Sequence, residues 1–169
     1  VARDGVAVIV NPANPVSDLS MIQIGHVFGG EAKTWKEVGG GEGDIVVIDR
    51  DKKSNLRKSL EDLVLGGEEF AATARTVGSA AEMLDAVRST ATAIGYLPLH
   101  KMATGVRALR VDGVEMSRLT MVSGRYPLAR SFFLAVHMKV SPLTERFIEF
   151  ALSPQGQALF VSGGLIDVF

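Results

Sequence analysis

The chain has 169 residues, 47% apolar and 22% charged, enough for one ordinary domain or two small lobes with a buried core and unlike a disordered tail. Eighteen Lys and Arg against 19 Asp and Glu leave a net charge of −1, which offers no electrostatic footprint for nucleic acid. Cysteine is absent, which removes disulfides, thiol catalysis and cysteine metal sites together, and no apolar run approaches the roughly 20 residues that a membrane helix needs.

The chain starts at Val1 without methionine or a signal-peptide pattern and reads as an excised or processed piece. Residues 6–10 are a short apolar strand, and prolines 12 and 15 make an extended, stiff exit from it. Ser17 is the expected cap of a helix carrying Leu19, Ile22, Val27 and Phe28, which Gly29 and Gly30 end. Residues 34–43 read as a flexible glycine-rich connection, because the glycines lack the Gly-Lys-Ser/Thr ending of a phosphate loop. Four β-branched residues at 45–48 suit a strand covered on both faces. A charged turn follows, then a helix with Ser54 or Asn55 as cap and Leu56, Leu60, Leu63 and Val64 at helical spacing. Arg50 therefore falls at the carboxyl end of a strand, facing the amino end of a helix. An α/β fold holds anions there, because free N–H groups and the helix dipole point at that position. A capped helix beside a solvated arginine is the alternative from these residues alone.

Thr76 and Val77 read as an edge strand, and Ser79 with Glu82 as a capping box for a helix to about Ser89. Residues 93–99 form a further strand whose Pro98 marks an edge or an exit. Asp112-Gly113 is a hairpin-turn dipeptide within 106–116. Residues 131–136 read as a buried strand. Ser141-Pro142 and Ser153-Pro154 each start a helix, the first packed by Phe147, Ile148, Ala151 and Leu152. Strands alternating with helices imply an α/β fold with a largely parallel sheet.

Few groups suggest catalysis. His26, His100 and His137 lack metal-ligand spacing, no Gly-x-Ser-x-Gly elbow is present, and the Glu61-Asp62 and Glu68-Glu69 pairs read as solvated helix ends. Arg107, Arg110, Arg125 and Arg130 are candidates to line a cleft, although arginines at strand ends are usually solvated. The residues point to binding rather than to an enzyme.

The motif order adds a family. Asp4-Gly-Val-Ala-Val-Ile-Val-Asn-Pro-Ala-Asn-Pro15, Phe28-Gly-Gly30, Thr34-Trp-Lys-Glu-Val-Gly-Gly40, Arg50 with Ser54, Ala93-Ile-Gly-Tyr96, Tyr126-Pro-Leu-Ala-Arg130 and Leu152-Ser-Pro-Gln-Gly-Gln157 follow one another along the chain. Together they resemble the phosphate ABC transporter substrate-binding proteins. The resemblance implies the type II periplasmic-binding fold, two α/β lobes that close on a ligand about crossover strands. It places the crossovers at 6–10 and 94–99 and one nearly complete lobe at 11–93. Residues 1–10 and 94–169 then supply the crossovers and the remainder of a second, truncated lobe. It implies phosphate or a similar oxyanion as ligand, a membrane permease as partner, and a periplasmic or extracellular setting, with a lipoprotein anchor possible through an upstream segment. No cofactor is implied.

In that family an arginine at the strand end and a Ser-Gly-Thr at the helix start hold phosphate. Arg50 and Ser54 match, whereas Asn55 stands for the glycine and Leu56 for the threonine. The resemblance thus implies Arg50, Ser54, Asn55 and Leu56 as ligand residues, with Arg57 assisting or pairing with Glu61 at i,i+4. The family's glycine- and serine-rich anion loop has no match among these residues. Phosphate has five heavy atoms, and at about −1.5 kcal/mol per atom even an ideal site reaches only about −7.5 kcal/mol, so half a cage is expected to bind no better than about millimolar. A degenerate domain used for sensing or protein interaction is the alternative, and a regulator's effector domain a third. Self-association, covering exposed strand edges and apolar faces, is a further expectation.

Overall fold

The chain runs β1 (Ala2–Val10), β2 (Asp18–Leu19), α1 (Met21–Gly29), β3 (Val46–Arg50), α2 (Asn55–Leu60), β4 (Arg75–Val77), α3 (Ala80–Ser89), β5 (Ala93–Pro98), β6 (Arg107–Ala108), β7 (Arg110–Val111), α4 (Arg118–Val122), β8 (Ala129–Phe132), α5 (Pro142–Leu152) and α6 (Pro154–Ser162). The computed structural model describes residues 1–169. Five strands lie in the order β4-β3-β5-β1-β6, and β8 joins the far half of β1. The sheet is mixed rather than largely parallel. Strand β3 runs parallel to β4 and β5, but β1 is antiparallel to β5, β6 and β8. The apolar run of β1 gave no warning of this, since a central antiparallel strand covered on both faces reads like a parallel one.

β1 changes partners along its length. Val6 to Val10 pair with Pro98 to Ile94, whereas Ala2 to Gly5 pair with Phe132 to Ala129. Gly5 sits at the changeover, where an added Cβ would lie 2.6 Å from the Met121 sulfur. The strands expected to cross between lobes, 6–10 and 94–99, are antiparallel hydrogen-bonded neighbours, and the 2–5/129–132 pair continues β1 beyond them. Residues 107–128 stay on that same body: Leu109 donates its N–H to Val8 and Arg110 to Ser17, and the Tyr126 hydroxyl donates to the Val6 carbonyl.

The buried core joins β1, β3 and β5 to α1, α2 and α3, and Ile166 is its only member beyond Leu128. Helices α5 and α6 form with the expected Ser141 and Ser153 caps and first-turn prolines. Their apolar residues find little cover. Phe147 is 57% exposed and Leu152 41%, and only Ala151 of α5 is buried. Residues 131–136, expected as a buried strand, pair only as far as Phe132, and Phe133 is 82% exposed.

Three local readings also change. Asp18 and Leu19 form a strand beside Arg110 and Val111, so Ser20 rather than Ser17 caps α1, in a capping box with Gln23. The 34–43 connection is ordered by a 3-10 turn, Trp35–Val38, with Trp35 buried and its indole N–H donated to the Thr92 carbonyl at 2.9 Å. The Asp112-Gly113 turn closes a single bridge, Val111 to Val114, because Arg107–Ala108 and Arg110–Val111 pair elsewhere.

Candidate site at the end of strand β3

The strand ends in Asp49 and Arg50, and their setting explains the site. The β3–β5 ladder registers only Val46 and Val47, so sheet hydrogen bonds do not hold the strand's last residues on that side. Side chains take over. The Arg50 N–H lies 2.7 Å from Asp49 Oδ1 and 3.1 Å from the Tyr96 hydroxyl oxygen, and that hydroxyl donates to Asp49 Oδ1 at 2.7 Å. On the other side β4 pairs with Ile48 to Arg50. The Arg50 guanidinium donates through Nη2 to the Gly78 carbonyl at 3.0 Å, while its Nε–H is shielded from solvent without a protein acceptor.

α2 opens a few residues on. The Ser54 hydroxyl accepts the Arg57 N–H at 3.3 Å and caps the helix. The N–H groups of Asn55 and Leu56, at its first two positions, have no intrahelical partner. The helix runs on without a break through a π-helical turn, Glu61–Leu65, to a left-handed Gly66. A strand-end guanidinium and a helix amino terminus thus share one end of the sheet, an arrangement suited to an anion.

Two of the expected ligand residues turn their side chains inward. The Leu56 side chain is buried in the core. Arg57 is also buried; its Nε donates to Asp49 Oδ2 and its Nη1 to Glu61 Oε2, both at 2.9 Å, and its guanidinium carbon lies 4.4 Å from the Phe70 ring centroid. Burial opposes its charge, but the Asp49 hydrogen bond and the charges of Asp49 and Glu61 outweigh that cost and raise its pKa above the usual arginine value. Arg57 is thus occupied inside the protein, including the Glu61 pairing that its spacing suggested. Burial first, then the bond to Asp49, push the Tyr96 phenol well above the ordinary tyrosine value. Glu82 faces the site from α3. Its carboxyl is held below the usual range by the Gly78 N–H, then the Ser79 hydroxyl, with Arg50 contributing.

The remaining arginines do not line one cleft. Arg107 anchors the Asn14 and Val16 carbonyls at 2.6 Å, Arg110 lies 3.7 Å from Asp18, and Arg125 bonds the nearby Ser123 hydroxyl. Arg130 pairs with Asp4 at 2.8 Å and donates to the Ser59 hydroxyl at 2.6 Å. A crevice of about 560 Å³ among Val27, Lys33, Asp44, Ile45 and Thr73 lies at the opposite end of β3 from Arg50. Asp49 and Tyr96 were not singled out from the sequence. An aspartate beside the strand-end arginine was the only signal, and nothing in the spacing ties it to a tyrosine 47 positions away.

Residues 1–155 match the model of a PBP superfamily domain. The chain is 35% identical over 133 residues to phosphate-binding protein PstS 2 of Streptococcus pneumoniae, covering 74% of this chain and 46% of that protein. Among solved structures it matches an ABC-type phosphate transport receptor from Vibrio cholerae with a TM-score of 0.91 at 30% identity, over 98% of this chain and 70% of that one. It also matches a putative phosphate ABC transporter substrate-binding protein with bound phosphate from Clostridium perfringens, with a TM-score of 0.81 at 31% identity, over 99% of this chain and 70% of that one. The chain spans about half the length of the curated relatives it matches. With residues 1–155 matching the superfamily's model and the fold shared with these receptors, the chain belongs to the PBP superfamily, in its family of ABC-type phosphate receptors.

Proposed function

We propose that this chain supplies one half of an extracytoplasmic binding site for phosphate, in a solute-binding protein that serves an ABC importer through its membrane permease. Arg50 is the charge partner. The Ser54 hydroxyl and the N–H groups of Asn55 and Leu56 are the further donors, and the Asn55 and Leu56 side chains have no part in the contact. The observation that carries this reading is the Arg50 Nε–H, buried without a protein acceptor beside a helix start whose first N–H groups are free. Leaving a buried donor unmatched costs about 1–3 kcal/mol, and an anion oxygen would satisfy it. The relatives, named for binding phosphate, supply the ligand class. They do not favour the alternative of a degenerate interaction domain.

The change of partners along β1 supports a division into lobes. We place the boundary between Gly5 and Val6 and again near Leu128, so that residues 6–128 form the lobe holding Arg50. Residues 1–5 and 129–169 then belong to the other.

A thermal-shift series with phosphate, sulfate and molybdate tests the reading. A ligand at 100 times its Kd stabilises by about 2.7 kcal/mol, several degrees for a domain of this size at about 2–4 °C per kcal/mol. Phosphate at tens of millimolar and above should raise Tm in the wild-type chain and raise it much less in Arg50→Ala. Stabilisation by none of the three oxyanions would count against it.

A further inference from the structure

Arg50 owes its place to a group of side chains that nothing so far has connected to binding. Asp49 is 5% exposed, Arg57 8% and Tyr96 0%, and they meet behind the strand end. Asp49 Oδ1 receives the Tyr96 hydroxyl and the Arg50 N–H, while Oδ2 receives Arg57 Nε. Tyr96 is wedged edge-on against Phe28, with centroids 5.7 Å apart, and lies 6.1 Å from Phe70. Phe70 in turn lies under the Arg57 guanidinium. The phenol is therefore not free to turn away from Asp49.

A buried ion pair is a poor stabiliser by itself, since burying two charges offsets their attraction and well-packed apolar residues often do as well. Position is what this one supplies. Arg57 belongs to the first turn of α2, and its own N–H is bonded to the Ser54 cap. Its side chain reaches back across the 51–54 turn to Asp49. The Asp49–Arg57 pair thus ties the strand end that carries Arg50 to the helix start that carries Ser54, Asn55 and Leu56. Tyr96, from β5, fixes the same peptide just where the β3–β5 ladder stops.

We infer that Asp49, Tyr96 and Arg57 are positioning residues of the anion site, setting the separation between the Arg50 guanidinium and the free N–H groups of α2 without touching the ligand. The inference rests on the reading of Arg50 as the charge partner. It makes Arg57 an internal counter-ion whose loss would be felt through Arg50.

The test is a set of 1H–15N NMR titrations of the 169-residue chain with inorganic phosphate, following the Asn55 and Leu56 amides and the Arg50 Nε–H. Tyr96→Phe keeps the ring and removes one hydroxyl; Asp49→Asn keeps the shape and removes the charge. Each is measured with Arg50 present and in an Arg50→Ala background. With Arg50 present, both should retain a dispersed spectrum and bind phosphate roughly 5- to 30-fold more weakly, the scale of one or two hydrogen bonds. In the Arg50→Ala background neither should weaken binding further. Unchanged affinity in both variants, with Arg50→Ala alone weakening the response, would overturn the positioning role and leave the site standing. Equal losses in both backgrounds would also overturn it, as the mark of general loosening. If Arg50→Ala itself leaves the titration unchanged, the site reading fails and takes this inference with it. Should Asp49→Asn unfold, the Tyr96→Phe pair decides alone.

Discussion

Arg50 and Arg57 carry the same charge and close positions in the chain, yet the structure sorts them into different tasks. Arg57 has a carboxylate on each side and an aromatic face beneath it. Arg50 has a carbonyl and an unmatched buried donor. Arg50→Ala should therefore cost about 1.5–3 kcal/mol of phosphate affinity, the worth of a hydrogen bond to a charged group, with little change in Tm measured without ligand. Asp49→Ala, by contrast, strands the Arg57 charge on Glu61 alone and should destabilise the fold itself by about 3–5 kcal/mol, read by denaturant melts. Leu56 makes the reverse case. Its side chain belongs to the core, so Leu56→Thr should destabilise by roughly 2 kcal/mol or more and leave phosphate affinity unimproved. A tenfold gain would show that the side chain reaches the anion. The strand-end arginine and the helix cap were legible in the sequence because both depend on local signals, β-branched residues and a serine before a helical run. Leu56 belonged to the apolar spacing of that helix, but the inward turn of Arg57 was not legible, because it depends on partners outside the helix such as Asp49 and Phe70.

Among the expected elements, helix starts were legible except at α1, where Ser20 and not Ser17 is the cap. The helices from Pro142 and Pro154 start where a serine precedes a proline, and α3 starts at Ser79 with Glu82 folded back to the Gly78 N–H and the Ser79 hydroxyl. The same chemistry at Ser54 serves two ends, helix and ligand. Ser54→Ala should lower stability by about 1 kcal/mol, the usual loss of a cap, and weaken phosphate binding as well. Ser54→Thr should recover both, and equal Tm loss with unchanged affinity would confine the residue to capping. Strands were harder to place. Two-residue strands such as Asp18–Leu19 and Arg110–Val111 carry no period of their own and exist because each lies against the other. Residues 131–136 have the composition of a buried strand, but composition reports what a segment needs and not whether this chain covers it.

The whole molecule is uneven in this respect. Nearly all of the core lies at or before Leu128, while Phe133, Met138, Leu143 and Phe147 sit largely exposed around β8 and α5. Apolar surface of this extent seeks cover. The chain should self-associate at micromolar concentration in sedimentation velocity, and Phe133→Asp with Phe147→Asp should return it to a monomer without lowering Tm; a monomeric wild type would contradict this. On the proposed reading, Arg50 and the start of α2 meet an anion from one side, which should hold the Kd at millimolar or weaker. The most direct test of the account is an NMR titration of the wild-type chain with inorganic phosphate. It predicts saturable shifts at the Ser54, Asn55 and Leu56 amides with a Kd no tighter than about 1 mM, weakened roughly 10- to 150-fold in Arg50→Ala. Shifts that persist unchanged in Arg50→Ala, no response at those amides in the folded chain, or micromolar binding would each contradict it.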